Sequence, residues 1–291
     1  MSVIFSTEHL AKKAGKPTEV ERPDAHAALW EKHRELMRTL TLGVDIAYLH
    51  NLREWGKAET VLEIGSGRGK FLEQLIEYFP EKEYVGLDTS KKAKEASATS
   101  GRPGTISIVS MALSDMNPSH FERYDIIFVH SFSQNIASPQ AFLKQVYRLL
   151  KPGGSVILYE MNDEKIAFRP DPGFGAFFDE LPGLREVTSR HFCLWKDLVR
   201  SANGVGFSIL AHSDVLFPSS YGDNKRHLGK IVSQLLEIAE HSGEMEWNFA
   251  SARRALSRWS GDSSSFGQFA IHRLVLRRPG GWLRRLFGWL F

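Results

Sequence analysis

The segment Val61-Leu62-Glu63-Ile64-Gly65-Ser66-Gly67-Arg68-Gly69 is an apolar run that carries one acid and then breaks into three alternating glycines. A turn without side chains lets a ligand come close to the backbone. Further on, Tyr84-Val85-Gly86-Leu87-Asp88 ends in a carboxylate. An acid at the end of the second strand of an α/β unit can take both hydroxyls of a ribose. A nicotinamide dinucleotide fold also places an acid there, so the glycine spacing has to decide. The dinucleotide pattern G-x-G-x-x-G asks for glycine at position 70, where this chain has Lys70, while glycine stands at 69. Glu63 would moreover oppose a pyrophosphate.

These residues need a scaffold, and the hydrophobic periodicity supplies one. Thr60 to Ile64 reads as a buried strand, Phe71 to Ile76 begins a helix that Pro80 closes, and Tyr84 to Asp88 is a second strand. A polar helix over residues 91–100, a third strand over 106–109, and a fourth over Tyr124-Asp125-Ile126-Ile127-Phe128-Val129-His130 follow. A helix over 141–150 stops at Lys151-Pro152-Gly153-Gly154, and Ser155 to Tyr159 is a fifth strand. This alternation predicts a parallel sheet covered on both faces. Upstream, Leu29, Trp30, Leu36, Met37 and Leu40 recur at helical spacing, which predicts one or two helices between residues 25 and 55. Downstream, residues 168–184 read as a loop rich in Pro, Gly and Phe. Later strands are expected at 207–210 and 269–276, with helices between them near 228–241 and 246–259.

Composition sets outer bounds. With 291 residues, 42% of them hydrophobic and 24% charged, the chain can bury a full core. A formal charge of +3 does not demand nucleic acid, and the single cysteine, Cys193, excludes an intrachain disulfide and a cysteine-based zinc site. No metal is expected. The N-terminal residues turn polar too early for a signal peptide, and no apolar run reaches a membrane-spanning length. The expected location is therefore cytoplasmic, with peripheral contact at a membrane left open by the tail described below.

Taken in order, E-x-G-x-G-x-G, V-G-L-D, Y-D-I-I-F-V and L-L-K-P-G-G before a strand resemble the motifs of class I S-adenosylmethionine-dependent methyltransferases. The resemblance covers residues 58–160 strongly and 190–276 weakly. It implies a Rossmann-like α/β fold: a seven-stranded, mostly parallel sheet with an antiparallel last strand and helices on both faces, plus a helical N-terminal segment and a helical insertion. The implied boundaries are an N-terminal arm and lid at 1–57, the methyltransferase domain at 58–278 with its insertion at 218–265, and a tail at 279–291. The implied cofactor is S-adenosyl-L-methionine. Gly65, Ser66 and Gly67 would face its amino acid moiety, Glu63 its ammonium, Asp88 its ribose, and Thr89 its adenosine. The acid that many family members use at the adenine is missing here, which leaves Met111 for the adenine face and Ala112 for its edge. His130, at the tip of the fourth strand, would line the cofactor and acceptor pocket and is the first candidate for a general base. Glu160 is the second and His191 a distant third, each with a purely structural role as the plainer alternative. Gln134 and Asn135 could orient a substrate.

Beyond this domain, Trp282, Leu286, Trp289 and Leu290 share one face of a possible tail helix, extended by Leu283, Phe287 and Phe291, with Arg284 and Arg285 opposite. Such a face suits either a membrane surface or self-association. The expected acceptor is a small molecule, methylated on oxygen, nitrogen or carbon. The alternatives are a lipid or membrane-bound acceptor and a methyltransferase-like scaffold that transfers nothing. DNA is not expected, because the fourth strand continues into His130-Ser131-Phe132-Ser133 and lacks the Asn/Asp-Pro-Pro-aromatic motif of DNA base methyltransferases.

Overall fold

The computed structural model describes residues 23–90, 93–96, 106–130, 136–170, 173, 175, 177–180 and 195–280. The expected N-terminal arm, the tail beyond 280, Gln134, Asn135, His191 and parts of the expected 91–100 helix and 168–184 loop lie outside them.

A single long helix, α1 (Pro23–Asn51), stands where one or two were expected. Then come β1 (Thr60–Ile64), α2 (Lys70–Tyr78), β2 (Glu83–Asp88), β3 (Ile106–Ser110), β4 (Tyr124–His130), α3 (Pro139–Leu149) and β5 (Leu150–Met161). The chain continues with β6 (Ala167–Arg169), α4 (Trp195–Val205), β7 (Ser208–Pro218), α5 (Asn224–Ser242), α6 (Phe249–Gly261) and β8 (Phe266–Arg277). The sheet runs β3-β2-β1-β4-β5-β8, with β6 and β7 both paired to β8. β1 to β5 are mutually parallel, and β8 is antiparallel to β5, β6 and β7. This is the expected sheet with one addition, the three-residue β6.

Local chemistry explains the helix ends. Ser138 accepts the Ala141 N–H ahead of Pro139 at the start of α3, and Asn248 accepts the Ser251 N–H at the start of α6. Gly243, at φ 67°, closes α5 in the left-handed conformation.

Strand alternation divides the core into two layers. On one face Val61, Phe71, Tyr84, Phe128, Ile157 and Ile271 pack together beneath α1, α2 and α5. On the other, Leu62, Ile127, Leu158 and Leu274 pack against α3 and α4. Each fully buried Leu or Ile contributes about 1.5–3 kcal/mol relative to exposure. The helix after β1 covers the first face and the helix after β4 covers the second. The crevice at the carboxyl ends of β1 and β4 is therefore a topological switch point, where α/β sheets bind ligands.

Candidate active site

The glycine turn leaves β1 into that crevice. Gly65, Gly67 and Gly69 have φ of 78°, 57° and 80°, values that other residues adopt only with strain. The Gly65 and Ser66 N–H groups donate to the Leu87 carbonyl at 2.8 and 3.2 Å, which ties the turn to the end of β2. Gly86 leaves room for this arrangement, since a Cβ there would stand 2.5 Å from Ser66 Oγ and 2.6 Å from Ile108 Cδ1.

Asp88 is half-buried at the end of β2. Its Oδ2 accepts the Gly67 N–H at 2.9 Å and its Oδ1 the Ser90 N–H at 2.7 Å. A carboxylate oxygen has two lone-pair sites, so both oxygens keep capacity for hydroxyl groups. Thr89 beside it is exposed, and Met111 and Ala112 are half-buried where β3 ends. The Met111 N–H donates to the Asp88 carbonyl at 3.1 Å, which brings these residues to one side of the same crevice.

Glu63 is fully buried on the α1 side of β1. The Arg38 guanidinium of α1 lies 3.2 Å from Glu63 Oε1 through Nε, and its Nη2 donates to the Gly65 carbonyl. Neither Glu63 oxygen accepts a well-directed hydrogen bond among the described residues, and neither does Ser66 Oγ have a partner. Arg34, one turn earlier, lies partly buried. Burial and the Arg38 charge pull its pKa down, against the nearby carboxylates of Asp88, Glu31 and Glu160.

His130 stands one position beyond the Ile64–Val129 pair, level with Gly65. Its ring stacks on Tyr159 at 5.0 Å between centroids, and Phe71 meets it edge-on at 4.5 Å. Nδ1 lies 3.6 Å from Glu63 Oε1 and Nε2 3.7 Å from Asp45 Oδ2, which are ion-pair separations longer than hydrogen bonds. Burial alone would depress its pKa, but Asp45 and Glu63 outweigh that effect and raise it above the ordinary 6.5.

The register extends this level across the sheet, from His130 to Tyr159 and on to Arg273. Above it α1 lays a polar stripe at helical spacing, Arg38, Thr41, Asp45 and Tyr48, the first three of them buried. Arg38 pairs with Glu63, Asp45 lies beside His130, and the Arg273 guanidinium sits 3.9 Å over the Tyr48 ring. Glu160 follows on β5, close enough to Arg34 of α1 to oppose the lowering of that group's pKa. It pairs in register with His272. The structure thus brings Glu63, Gly65, Ser66, Gly67, Asp88, Met111, Ala112 and His130 to one crevice, with Glu160 within electrostatic reach of Arg34 on α1 and of His272 on β8. Arg38, Asp45, Tyr159 and Arg273 were absent from the expected site.

Comparison with known proteins finds methyltransferases. Residues 62–156 match the methyltransferase domain family. The trans-aconitate 2-methyltransferase of Acidovorax sp. (strain JS42) is 27% identical over 191 residues, 63% of this chain and 67% of that protein. Malonyl-[acyl-carrier protein] O-methyltransferase 1 of Ilyobacter polytropus is 24% identical over 145 residues, 47% of this chain and 53% of its own length. A structure from Galdieria sulphuraria provisionally assigned as a sarcosine dimethylglycine methyltransferase shares the fold. Its TM-score is 0.51 at 17% identity, with 84% of this chain and 86% of that one covered. A provisionally assigned methyltransferase from Bacillus halodurans has a TM-score of 0.50 at 16% identity, covering 81% and 99%. Residues 62–156 thus match a methyltransferase domain, and the chain shares the fold of class I S-adenosylmethionine-dependent methyltransferases.

Among the described residues no helix is long and apolar enough to cross a membrane, and no group of His, Cys, Asp and Glu is arranged to hold a metal ion.

Proposed function

We propose that this protein transfers a methyl group from S-adenosyl-L-methionine to a small-molecule acceptor seated between α1 and the carboxyl ends of β4 and β5. The supporting observation is the continuity of one buried polar level from the glycine turn through His130 and Tyr159 to Arg273. Hydrogen-bonding groups for a nucleoside lie at its β1–β2 end, and a separate polar lining lies at its β4–β8 end.

The residues fit the cofactor. Glu63 is a buried anion with unused acceptor capacity and suits an ammonium. The Gly65, Ser66 and Gly67 backbone would border the amino acid moiety, Asp88 would take the ribose hydroxyls, and Thr89, Met111 and Ala112 would border the adenosine. When bound, the cofactor supplies a methyl group activated by a sulfonium. The protein's own part is then to align the acceptor and keep water away, tasks for which His130, Tyr159 and the cover of α1 are placed. The trans-aconitate enzyme, named for a small-molecule acceptor, supports the same class here.

Calorimetric titration with S-adenosylmethionine and S-adenosylhomocysteine, on the intact chain and on Asp88→Ala, tests the cofactor assignment. Micromolar binding, about −8 kcal/mol, that is lost in the variant is the expected result. An intact chain that binds neither compound would overturn it in favour of a scaffold that kept the fold without its cofactor.

A further inference from the structure

The acceptor half of the level carries more positive charge than its own acids use. Arg38 is matched by Glu63, and His130 lies between Glu63 and Asp45. Among the described residues Arg273 has no carboxylate in ion-pair contact. Its Nε is buried without an acceptor, and its only described hydrogen bond runs from Nη2 to Ser213 Oγ at 3.4 Å. A buried guanidinium N–H without an acceptor is costly, and a planar donor fork matches the two oxygens of a carboxylate. The Tyr48 ring holds the guanidinium in place from the α1 side.

We infer that Arg273 is the specificity-determining residue for a carboxylate-bearing acceptor and that the enzyme makes a methyl ester. This rests on the proposed methyltransferase reading. In such a transfer a carboxylate oxygen forms the new C–O bond as the bond between sulfur and the methyl carbon breaks. The electron pair stays on sulfur, and the anion becomes a neutral ester. No proton is released, so no base is needed. That agrees with His130, which lies between two acids that favour its protonated form beside this subsite.

The test uses the full chain with labelled S-adenosylmethionine and three sets of acceptors: di- and tricarboxylates with malonyl thioester, phenols, and primary and secondary amines. Label that enters carboxylates and is released as methanol by alkali is expected. Arg273→Gln should raise KM for the carboxylate about 10-fold to 100-fold with little change in kcat, Arg273→Lys should recover part of that, and cofactor affinity should stay unchanged in both. Unchanged cofactor affinity also shows that the variants are folded. Methylation of phenols or amines alone, no carboxylate bound or methylated, or an unaltered KM in Arg273→Gln would overturn the inference while leaving methyl transfer intact. A wild-type chain that does not bind the cofactor would instead overturn the methyltransferase reading and this inference with it.

Discussion

Arg38 of the first helix and Glu63 of the first strand, 25 positions apart on the chain, meet at 3.2 Å with side chains 7% and 0% exposed. A buried pair of this kind adds little net stability, yet removing one partner strands the other charge in a poor solvent. Arg38→Met should therefore destabilise the ligand-free protein by about 3 kcal/mol in urea unfolding, and Arg38→Met combined with Glu63→Gln should regain most of that loss. Additive losses in the double variant would show that the two charges do not depend on each other.

His130 predicts a pH dependence. Its folded-state pKa is raised above 6.5, so protonation stabilises the native state. That contribution is fully present below the unfolded value near 6.5 and is lost as pH rises through the folded value. Urea midpoints should fall as pH rises from 6.5 through the folded value, and His130→Gln should flatten the profile. NMR titration of the ring gives the direct check, and a His130 that titrates below 6.5 would defeat the assignment.

Gly86 predicts a steric effect at a distance from any ligand. In Gly86→Ala the new methyl would meet Ser66 Oγ at 2.5 Å and Ile108 Cδ1 at 2.6 Å. The glycine turn must shift to relieve this, at a cost of about 1–3 kcal/mol in stability. Cofactor affinity should fall by roughly tenfold, as a loss of about 1.4 kcal/mol would give. Calorimetry on a variant with a wild-type Kd would mean that the turn tolerates the displacement.

The β1–β2 side of the crevice was legible in the sequence because its residues lie within local strand–turn units. Glu63, the glycines and Asp88 each sit a fixed number of residues from a recognisable strand end, so spacing alone locates them. The β4–β8 side comes from distant elements. Tyr159 and Arg273 are neighbours only through the antiparallel register of β5 and β8. Nothing in the local pattern around Arg273 marks it. The helix α1 carried a signal that apolar periodicity passes over. Arg38, Thr41, Asp45 and Tyr48 recur at spacings of three, four and three, the period of one helical face, and the first three are buried. A polar stripe beside an apolar one reads as a solvated edge until a polar partner surface is known.

Glu160 shows the opposite limit. Position at the carboxyl end of a strand nominates a residue, but alternation sets its neighbours: Glu160 pairs with His272, while Tyr159, one position earlier, stacks on His130.

The pairing of β8 bears on the order in which the protein is made. β8 begins at Phe266 and pairs with β5, β6 and β7, reaching back more than a hundred residues to Ser155. Emerging from the ribosome at about 5–20 residues per second, β1 to β4 and the glycine turn are in hand several seconds before Arg273. The nascent chain has the elements of the proposed nucleoside site well before it has Arg273, the proposed determinant of the acceptor.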